Sequence, residues 1–110
     1  MERLVKGNVV VLPFPFSDLS ETKRRPAMVI ARADSDVVIL CQITSQIVND
    51  PDAVQLKTTD FESGSLKKLS YIRPARLFSA DEHVVSYRAG HMKADETAEV
   101  VETIIEILQR

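Results

Sequence analysis

Three adjacent cations are the feature of this 110-residue chain that most directly suggests chemistry. Lys23, Arg24 and Arg25 stand between a polar run and the apolar segment that Pro26 begins. The planar guanidinium group of arginine binds two phosphate oxygens through parallel hydrogen bonds and stays charged at any working pH. Arg24 or Arg25, placed where a loop enters a strand, is therefore a natural phosphate contact. The alternative is a triplet that only solvates a loop.

Two further stretches carry groups that could act beside these cations. The segment "CQITSQ", residues 41–46, offers hydroxyls and amides, although the hydroxyls at a strand end also serve in turns. Phe14 and Phe16 alternate with prolines, so we do not expect both to be in the core. An exposed aromatic face beside cations suits stacking with an unpaired base.

Other chemistries have weaker support in the sequence. His83 and His91 could form a general acid and base pair for phosphodiester cleavage, but their flanks show no partner for either. The pairs Asp34/Asp36 and Asp50/Asp52 have the composition of a metal site, yet they fall in turn signals where Asp usually bonds the backbone. We therefore expect no metal and no cofactor.

The composition limits the class of protein. With 14 basic and 16 acidic residues the net charge is −2, which argues against a protein that coats nucleic acid. The positive charge is concentrated, because residues 1–33 carry a net +3 and residues 63–78 a net +4. The length fits one domain over residues 1–110. Cys41 lies in an apolar run and is expected to be buried, and no signal peptide or membrane span is evident, so we expect a cytoplasmic protein.

The elements that must position these groups read as mainly β. Apolar and β-branched runs predict five strands, and their nearly continuous apolar character favours a sheet curled into a closed or half-closed barrel. We expect Pro13 and Pro15 to end the first strand, and Pro74 to place the fifth strand at an edge or in a bulge. The predicted strands cover residues 8–14, 26–33, 36–45, 53–59 and 69–78.

The remaining segments predict turns and one long helix. Residues 60–68 read as a turn with Gly64 in the left-handed conformation, and residues 80–86 read as a single helical turn. The segment 93–110 has apolar residues at helical spacing, with acidic residues at its start. It is therefore predicted to form a C-terminal helix that covers one end of the barrel.

Three blocks in register make the sequence similar to a known family. "GNVVVLPFPFSD…KRRPAMVI", "LCQITSQ" and "SGSLKKLSYIRPARLF" together resemble the MazF/PemK-like toxins of bacterial type II toxin–antitoxin modules over nearly the whole chain. One departure is Asn8, where family members commonly have Asp. We expect a capping or turn role at this position.

The resemblance implies a small SH3-like, partly open β-barrel with a C-terminal helix, forming a homodimer. It implies a sequence-specific endoribonuclease that cuts single-stranded RNA without a metal and is neutralised by a cognate antitoxin. The catalytic residues implied are Arg25, before the proline of the "RP" step, and Thr44, in the "ITSQ" block. The implied RNA contacts and the cations of the expected positive groove are Phe16, Ser17, Asp18, Lys23, Arg24, Gln46, Lys67, Lys68, Tyr71 and Arg73.

Cleavage of this kind proceeds by attack of the 2′-hydroxyl on the adjacent phosphorus, giving a 2′,3′-cyclic phosphate and a 5′-hydroxyl. A local positive groove from residues 23–25 and 67–76 would be enough to bind a few nucleotides. The net negative charge of the whole chain therefore does not exclude RNA binding. Two alternatives remain open. One is a CcdB-like toxin that poisons a protein such as DNA gyrase, and the other is a degenerate member that only binds antitoxin or RNA. The presence of both the "RP" and "ITSQ" blocks favours RNA cleavage.

Overall fold

A seven-stranded antiparallel sheet forms the body of the protein. The computed structural model describes residues 3–15, 22–46 and 49–110. The strands are β1 (Asn8–Pro15), β2 (Thr22–Arg32), β3 (Val37–Thr44), β4 (Val54–Leu56), β5 (Phe61–Gly64), β6 (Ser70–Asp81) and β7 (Tyr87–Met92), and the helix is α1 (Ala94–Leu108). Their order across the sheet is β4-β6-β3-β2-β1-β7-β5, so β4 and β5 are the two edges. The prediction of a partly open β-barrel with a C-terminal helix is confirmed.

Both faces of the sheet are apolar, as the continuous apolar runs indicated. Alternate residues of β1 to β3 enter two separate clusters, one of them beneath α1 through Val100 and Ile104. Cys41 belongs to the cluster under the helix and is fully buried, and burial raises the pKa of its thiol to about 12. Its predicted structural place is confirmed. No helix in the described part of the chain is long and apolar enough to cross a membrane.

The basic triplet lies inside β2 rather than in a loop before it. This strand begins at Thr22, four residues earlier than predicted, and Lys23, Arg24 and Arg25 pair with Phe14, Pro13 and Leu12 of β1. The expectation that Pro13 ends β1 is therefore wrong. Because β7 pairs only with residues 8–11 of β1, one edge of β1 is open at Pro13, which is where a strand tolerates proline.

A wide bulge interrupts β6 at Pro74. Leu77 is the partner of Cys41 and Arg73 is the partner of Gln42, so residues 74–76 have no partner in β3. The unpaired residues confirm the predicted bulge. Its physical cause is that proline has no N–H to donate to the neighbouring strand. β4 pairs with β6 only at residues 70–72, so within the described chain the side of β6 that faces away from β3 also has no strand partner at Pro74.

Two short strands were not predicted. Residues 61–64 fall in the predicted turn, and residues 87–92 lie between the predicted helical turn and the predicted helix, yet they pair as β5 and β7. The left-handed conformation of Gly64 is confirmed by its φ of +72°, and the helical turn appears as a 3₁₀ turn at Glu82–Val84. A Cβ atom on Gly90 would lie 2.5 Å from the carbonyl oxygen of Ser63, so this strand pair needs glycine at that position.

The segment that follows Thr44 is held to β6 by an ion pair. The Nε of Arg73 donates to Asp50 at 3.0 Å, and both side chains are largely buried, 19% and 8% exposed. Asp50 also accepts from the backbone N–H of Asp52, whose own carboxylate binds Arg110 at 2.7 Å. The turn role expected for this acidic pair is confirmed, and no group of three or more metal-ligating side chains occurs among residues 3–15, 22–46 and 49–110.

We expect Asp50→Asn to lower the free energy of unfolding at pH 7 by about 1–2 kcal/mol, because a charge-assisted hydrogen bond becomes a neutral one. The hydrogen bond from Arg73 lowers the pKa of Asp50, so folding favours the ionised carboxylate. The contribution of the Asp50 carboxylate to the free energy of unfolding is fully present above the pKa of Asp in the unfolded chain, about 3.9. This contribution is lost as the pH falls through the lower pKa of the folded state.

Urea unfolding at several pH values measures this effect. The difference between the wild type and Asp50→Asn should be constant near neutrality and shrink in acid. Asp36→Asn, at an exposed position, should match the wild type throughout. A difference that persists unchanged at pH 2 would contradict the assignment of the ion pair as the cause.

Candidate functional site

A cleft rich in cations opens at one end of the sheet. Its volume is about 580 Å³, and five basic side chains contribute to its lining while no acidic residue of the described chain does. This surface is called the basic cleft below. Its cations are Arg24, Arg25, Lys67, Lys68 and Arg88. The two segments that carry the positive charge in the sequence therefore converge here.

Three parts of the fold build the basic cleft. The start of β2 supplies Arg24 and Arg25, the segment after β5 supplies residues 65–68, and β7 supplies residues 87–89. Val11 and Ile43 contribute apolar lining between them. Arg24, Lys67, Lys68 and Arg88 are exposed, whereas Arg25 is half-buried with a fully buried Nε. The cleft therefore offers four exposed cations and one half-buried guanidinium.

Arg25 and Thr44 lie on neighbouring strands at the same end of the sheet. The ladder between β2 and β3 ends at the pair Ala27 and Gln42, and Arg25 and Thr44 each stand two residues beyond it. A spacing of two places each residue on the same face as the pair before it. The Oγ1 of Thr44 accepts a hydrogen bond of 3.2 Å from the backbone N–H of Gln46. Its own proton is therefore available to another acceptor.

The other predicted contacts are distributed around this point. Tyr71 is half-buried and is the Cα partner of Thr44, and Gln46 is exposed just past the end of β3. The Nε of Arg73 donates a hydrogen bond to Asp50, and Arg73 does not line the basic cleft. Lys23 is exposed in β2 but is also outside the cleft lining. Phe16, Ser17 and Asp18 lie outside the described residues.

Sequence reasoning missed the β7 wall of the cleft. Tyr87 is 52% exposed and Arg88 follows it, both facing a cleft whose other cations come from distant segments. The pairing of an aromatic residue with a cation was the only local signal. That signal is weak on its own, because the segment 87–92 has no apolar run that would predict a strand.

A second depression, here called the apolar groove, shares no lining residue with the basic cleft. Leu12 and Gln42 line the groove, whereas Val11 and Ile43, which point to the opposite face of the sheet, line the cleft. Its volume is about 660 Å³. Phe14 packs edge-on against Phe78 there, with ring centroids 4.9 Å apart and planes at 76°, so the expectation of an exposed Phe14 is corrected to a half-buried one. The residues that line the groove are Leu12, Pro13, Phe14, Gln42, Arg76, Leu77, Phe78, Ser79, Ala80 and Val84.

The two histidines have local partners and do not line the basic cleft. The Nδ1 of His83 lies 2.7 Å from Asp81, and the Nδ1 of His91 lies 2.9 Å from the amide nitrogen of Asn8. The amide oxygen of Asn8 accepts from the N–H of Val5 at 2.8 Å. Asn8 thus closes the turn before β1, and the turn role predicted for it is confirmed.

Solved structures with this fold come from toxin–antitoxin systems. A MazE–MazF structure from Deinococcus radiodurans superposes with a TM-score of 0.75 at 23% identity, covering 94% of each chain. A mycobacterial endoribonuclease in complex with its cognate antitoxin gives a TM-score of 0.76 at 10% identity, covering 97% of this chain and 96% of that one. The Mycobacterium tuberculosis toxin MazF-mt6 gives 0.71 at 13% identity, covering 93% and 96%. At these identities the likeness shows a shared fold.

Sequence comparison gives the family directly. No curated protein matches the chain. The family model for the PemK-like, MazF-like toxin of type II toxin–antitoxin systems matches residues 5–108, a span that contains the basic cleft, Arg25 and Thr44. The resemblance drawn from the three sequence blocks is thereby confirmed, and the chain belongs to the PemK-like, MazF-like toxins of type II toxin–antitoxin systems.

Proposed function

We propose that this toxin is a metal-independent, sequence-specific endoribonuclease that cleaves single-stranded RNA. The observation that carries the proposal is the basic cleft, which gathers Arg25 and four other cations. Thr44 does not line the cleft, but it stands on the neighbouring strand, two residues beyond the end of the ladder as Arg25 does. Such a cleft holds the phosphates of a few nucleotides although the whole chain is acidic. Two structures with this fold are endoribonucleases, which agrees with the proposal.

The proposed reaction is an internal transesterification. The 2′-hydroxyl loses its proton to water and attacks the adjacent phosphorus, the bond from phosphorus to the 5′-oxygen breaks, and the departing 5′-oxygen takes up a proton from water. The products are a 2′,3′-cyclic phosphate and a 5′-hydroxyl. Negative charge develops on the non-bridging oxygens as the attack proceeds, so donors aimed at those oxygens lower the barrier.

Arg25 is proposed to be the principal donor to those oxygens. Its Nε is fully buried, so the guanidinium is positioned before the substrate arrives, and water around it is partly excluded. Arginine is a poor proton acceptor because its pKa is far above neutral, so its role is electrostatic. Thr44 is proposed as a second donor, because its Oγ1 already accepts from the N–H of Gln46.

The partners proposed are RNA, a cognate antitoxin and a second copy of the chain. Structures with this fold include complexes with antitoxins, and an acidic, partly disordered antitoxin segment would suit the basic cleft. Ile105 and Leu108 are 48% and 71% exposed on α1, which supports pairing through this helix. β6 is internal in the strand order, but β4 pairs only with its residues 70–72, so beyond Ile72 one side of β6 has no strand partner in the described chain. A messenger RNA target would place the enzyme in the cytoplasm.

Arg25→Ala is expected to reduce the rate of RNA cleavage by about a hundredfold to a thousandfold, because one preorganised donor to the developing charge is lost. Arg25→Lys should recover only part of the rate, since an ammonium group cannot form the two parallel bonds. Lys93→Ala removes one positive charge outside the cleft and should cleave like the wild type. Rates are measured on a mixed RNA with thermal melting of each variant.

A folded Arg25→Ala variant that cuts as fast as the wild type would refute the catalytic assignment. A wild type that leaves all RNA intact would favour the CcdB-like alternative, a toxin that acts by binding a protein target. Mapping the RNA ends distinguishes the proposed chemistry further, because only transesterification leaves cyclic phosphate and 5′-hydroxyl ends.

Cleavage is expected to continue at an undiminished rate in excess EDTA. The proposed charge stabilisation comes from Arg25 and Thr44, so removing divalent ions should not slow the chemical step. The rate is compared in EDTA and in added Mg²⁺ at equal ionic strength, because phosphate binding depends on salt. Loss of activity in EDTA, restored by one divalent ion, would overturn the metal-independent mechanism.

Light scattering at micromolar concentration is expected to report a homodimer. Leu108→Glu, at the most exposed apolar position of α1, should shift the mass toward the monomer because it places a charge in the interface. Glu106→Gln, on the same helix, should leave the dimer intact. A monomeric wild type would refute the proposed assembly.

A further inference from the structure

The apolar groove has the character of a ligand site. Apolar side chains form most of its lining, and only Gln42, Arg76 and Ser79 are polar. Small-ligand sites typically have volumes of about 300–1,000 Å³ and combine apolar walls with a few placed polar groups. The groove, at about 660 Å³, fits that description.

The bulge in β6 explains why the groove exists. Residues 74–76 have no partner in β3 at the point where Gln42 and Arg73 pair, so the ladder is broken beside Gln42. A bulge bends its strand and redirects side chains, often next to an active site. Arg76, in this bulge, and Leu77, immediately after it, reach the rim of the groove. The groove is therefore built into the sheet.

Gln42 is the polar group best placed to recognise a ligand. It is half-buried in a strand that is otherwise almost entirely apolar, "VVILCQIT". Within the described chain no side-chain or backbone group hydrogen bonds its amide. An amide left in a mostly apolar groove has a donor and an acceptor to offer, and specificity in such sites comes from groups of this kind.

The groove adjoins the proposed reaction centre. Leu12, in its lining, is the Cα partner of Arg25, and Gln42 stands two residues before Thr44 on the same face of β3. Two residues of strand span about 6.6 Å. That distance is close to the spacing of successive nucleotides along a single strand, so a phosphate at Arg25 and Thr44 would bring a flanking base to the groove.

We propose that the apolar groove binds an unpaired nucleobase next to the cleaved phosphodiester, and that Gln42 determines which base is accepted. The base would lie against the walls formed by Phe14 and Phe78, and the amide of Gln42 would hydrogen bond its Watson–Crick edge. This inference rests on the proposed function, because it takes the RNA to be bound at Arg25.

The first test is the cleavage pattern on an RNA library with randomised sequence. Gln42→Leu keeps the size of the side chain but removes the amide, so base preference at one position beside the cut should fall by about tenfold to a hundredfold. Gln42→Glu offers acceptors only and should move the preference at that position toward guanine, whose N1–H and exocyclic amino group both donate on the Watson–Crick edge. Gln109→Leu, at an exposed position after α1, should reproduce the wild-type pattern.

The second test is binding without cleavage. Short 2′-O-methyl RNAs, which lack the nucleophile, are presented with each base in turn at each position, and affinities are measured by fluorescence anisotropy. The wild type should discriminate among bases at one position, and Gln42→Leu should not. This readout survives a failure of the proposed function, because an inactive wild type that still shows base-selective binding lost in Gln42→Leu supports the groove alone.

Two results would overturn the inference. One is an unchanged base preference in both assays for folded Gln42→Leu and Gln42→Glu. The other is a uniform loss of rate or affinity for all bases, which would mean that Gln42 only supports the fold. Thermal melting is recorded for each variant, and Gln42→Glu supplies the answer if Gln42→Leu does not fold.

Discussion

The pairing of β2 with β3 is the constraint on which the rest of the site depends. Side chains alternate between faces with a period of two, so a slip of one residue would move Arg25 to the face opposite Thr44. Burial fixes the register, because Ala27, Met28 and Cys41 are fully buried in two different clusters. Moving them to the wrong face would exchange the contents of both clusters. The position of the proposed catalytic pair is therefore set by the core.

The distribution of charge follows from the same architecture. Acidic residues outnumber basic ones, but several carboxylates are engaged by arginines that hold loops to the sheet, as in the pairs Asp50–Arg73 and Asp52–Arg110 and in the contact of Glu82 with Arg32. The hydrogen bond from Arg32 lowers the pKa of Glu82, which keeps that carboxylate ionised in its network. The described lining of the basic cleft holds no acid. An acidic protein thereby presents a locally positive surface, and the field at a bound phosphate is set by the cleft.

The sequence predicted the parts of the fold that local chemistry determines. Apolar patterning locates β1, β3 and the long α1, and the missing N–H of Pro74 predicts a bulge in the fifth predicted strand, which is β6. Sequence patterns did not predict the segments that become strands only by pairing with a neighbouring strand. Taken by itself, the basic triplet is typical of a loop, but its residues pair with β1 and therefore extend β2. The short, polar strands β5 and β7 likewise form by pairing with each other. The place of Arg88 in the lining of the cleft could therefore not be predicted from the sequence.

In the proposed mechanism, the donors to the phosphate and most of the base-binding groove come from different parts of the fold, and Gln42 on β3 belongs to both regions. Arg25 and Thr44 come from β2 and β3, whose register the core holds, whereas the apolar groove is shaped by the bulge at residues 74–76 and by the end of β1. Pro74, at the start of that bulge, has no backbone N–H, so a regular hydrogen-bond ladder between β6 and β3 cannot form at this point. Side chains around the bulge can therefore change without shifting the register of β2 and β3. Under the proposed function, the base that is accepted could therefore change while the proposed donors to the phosphate stay in place.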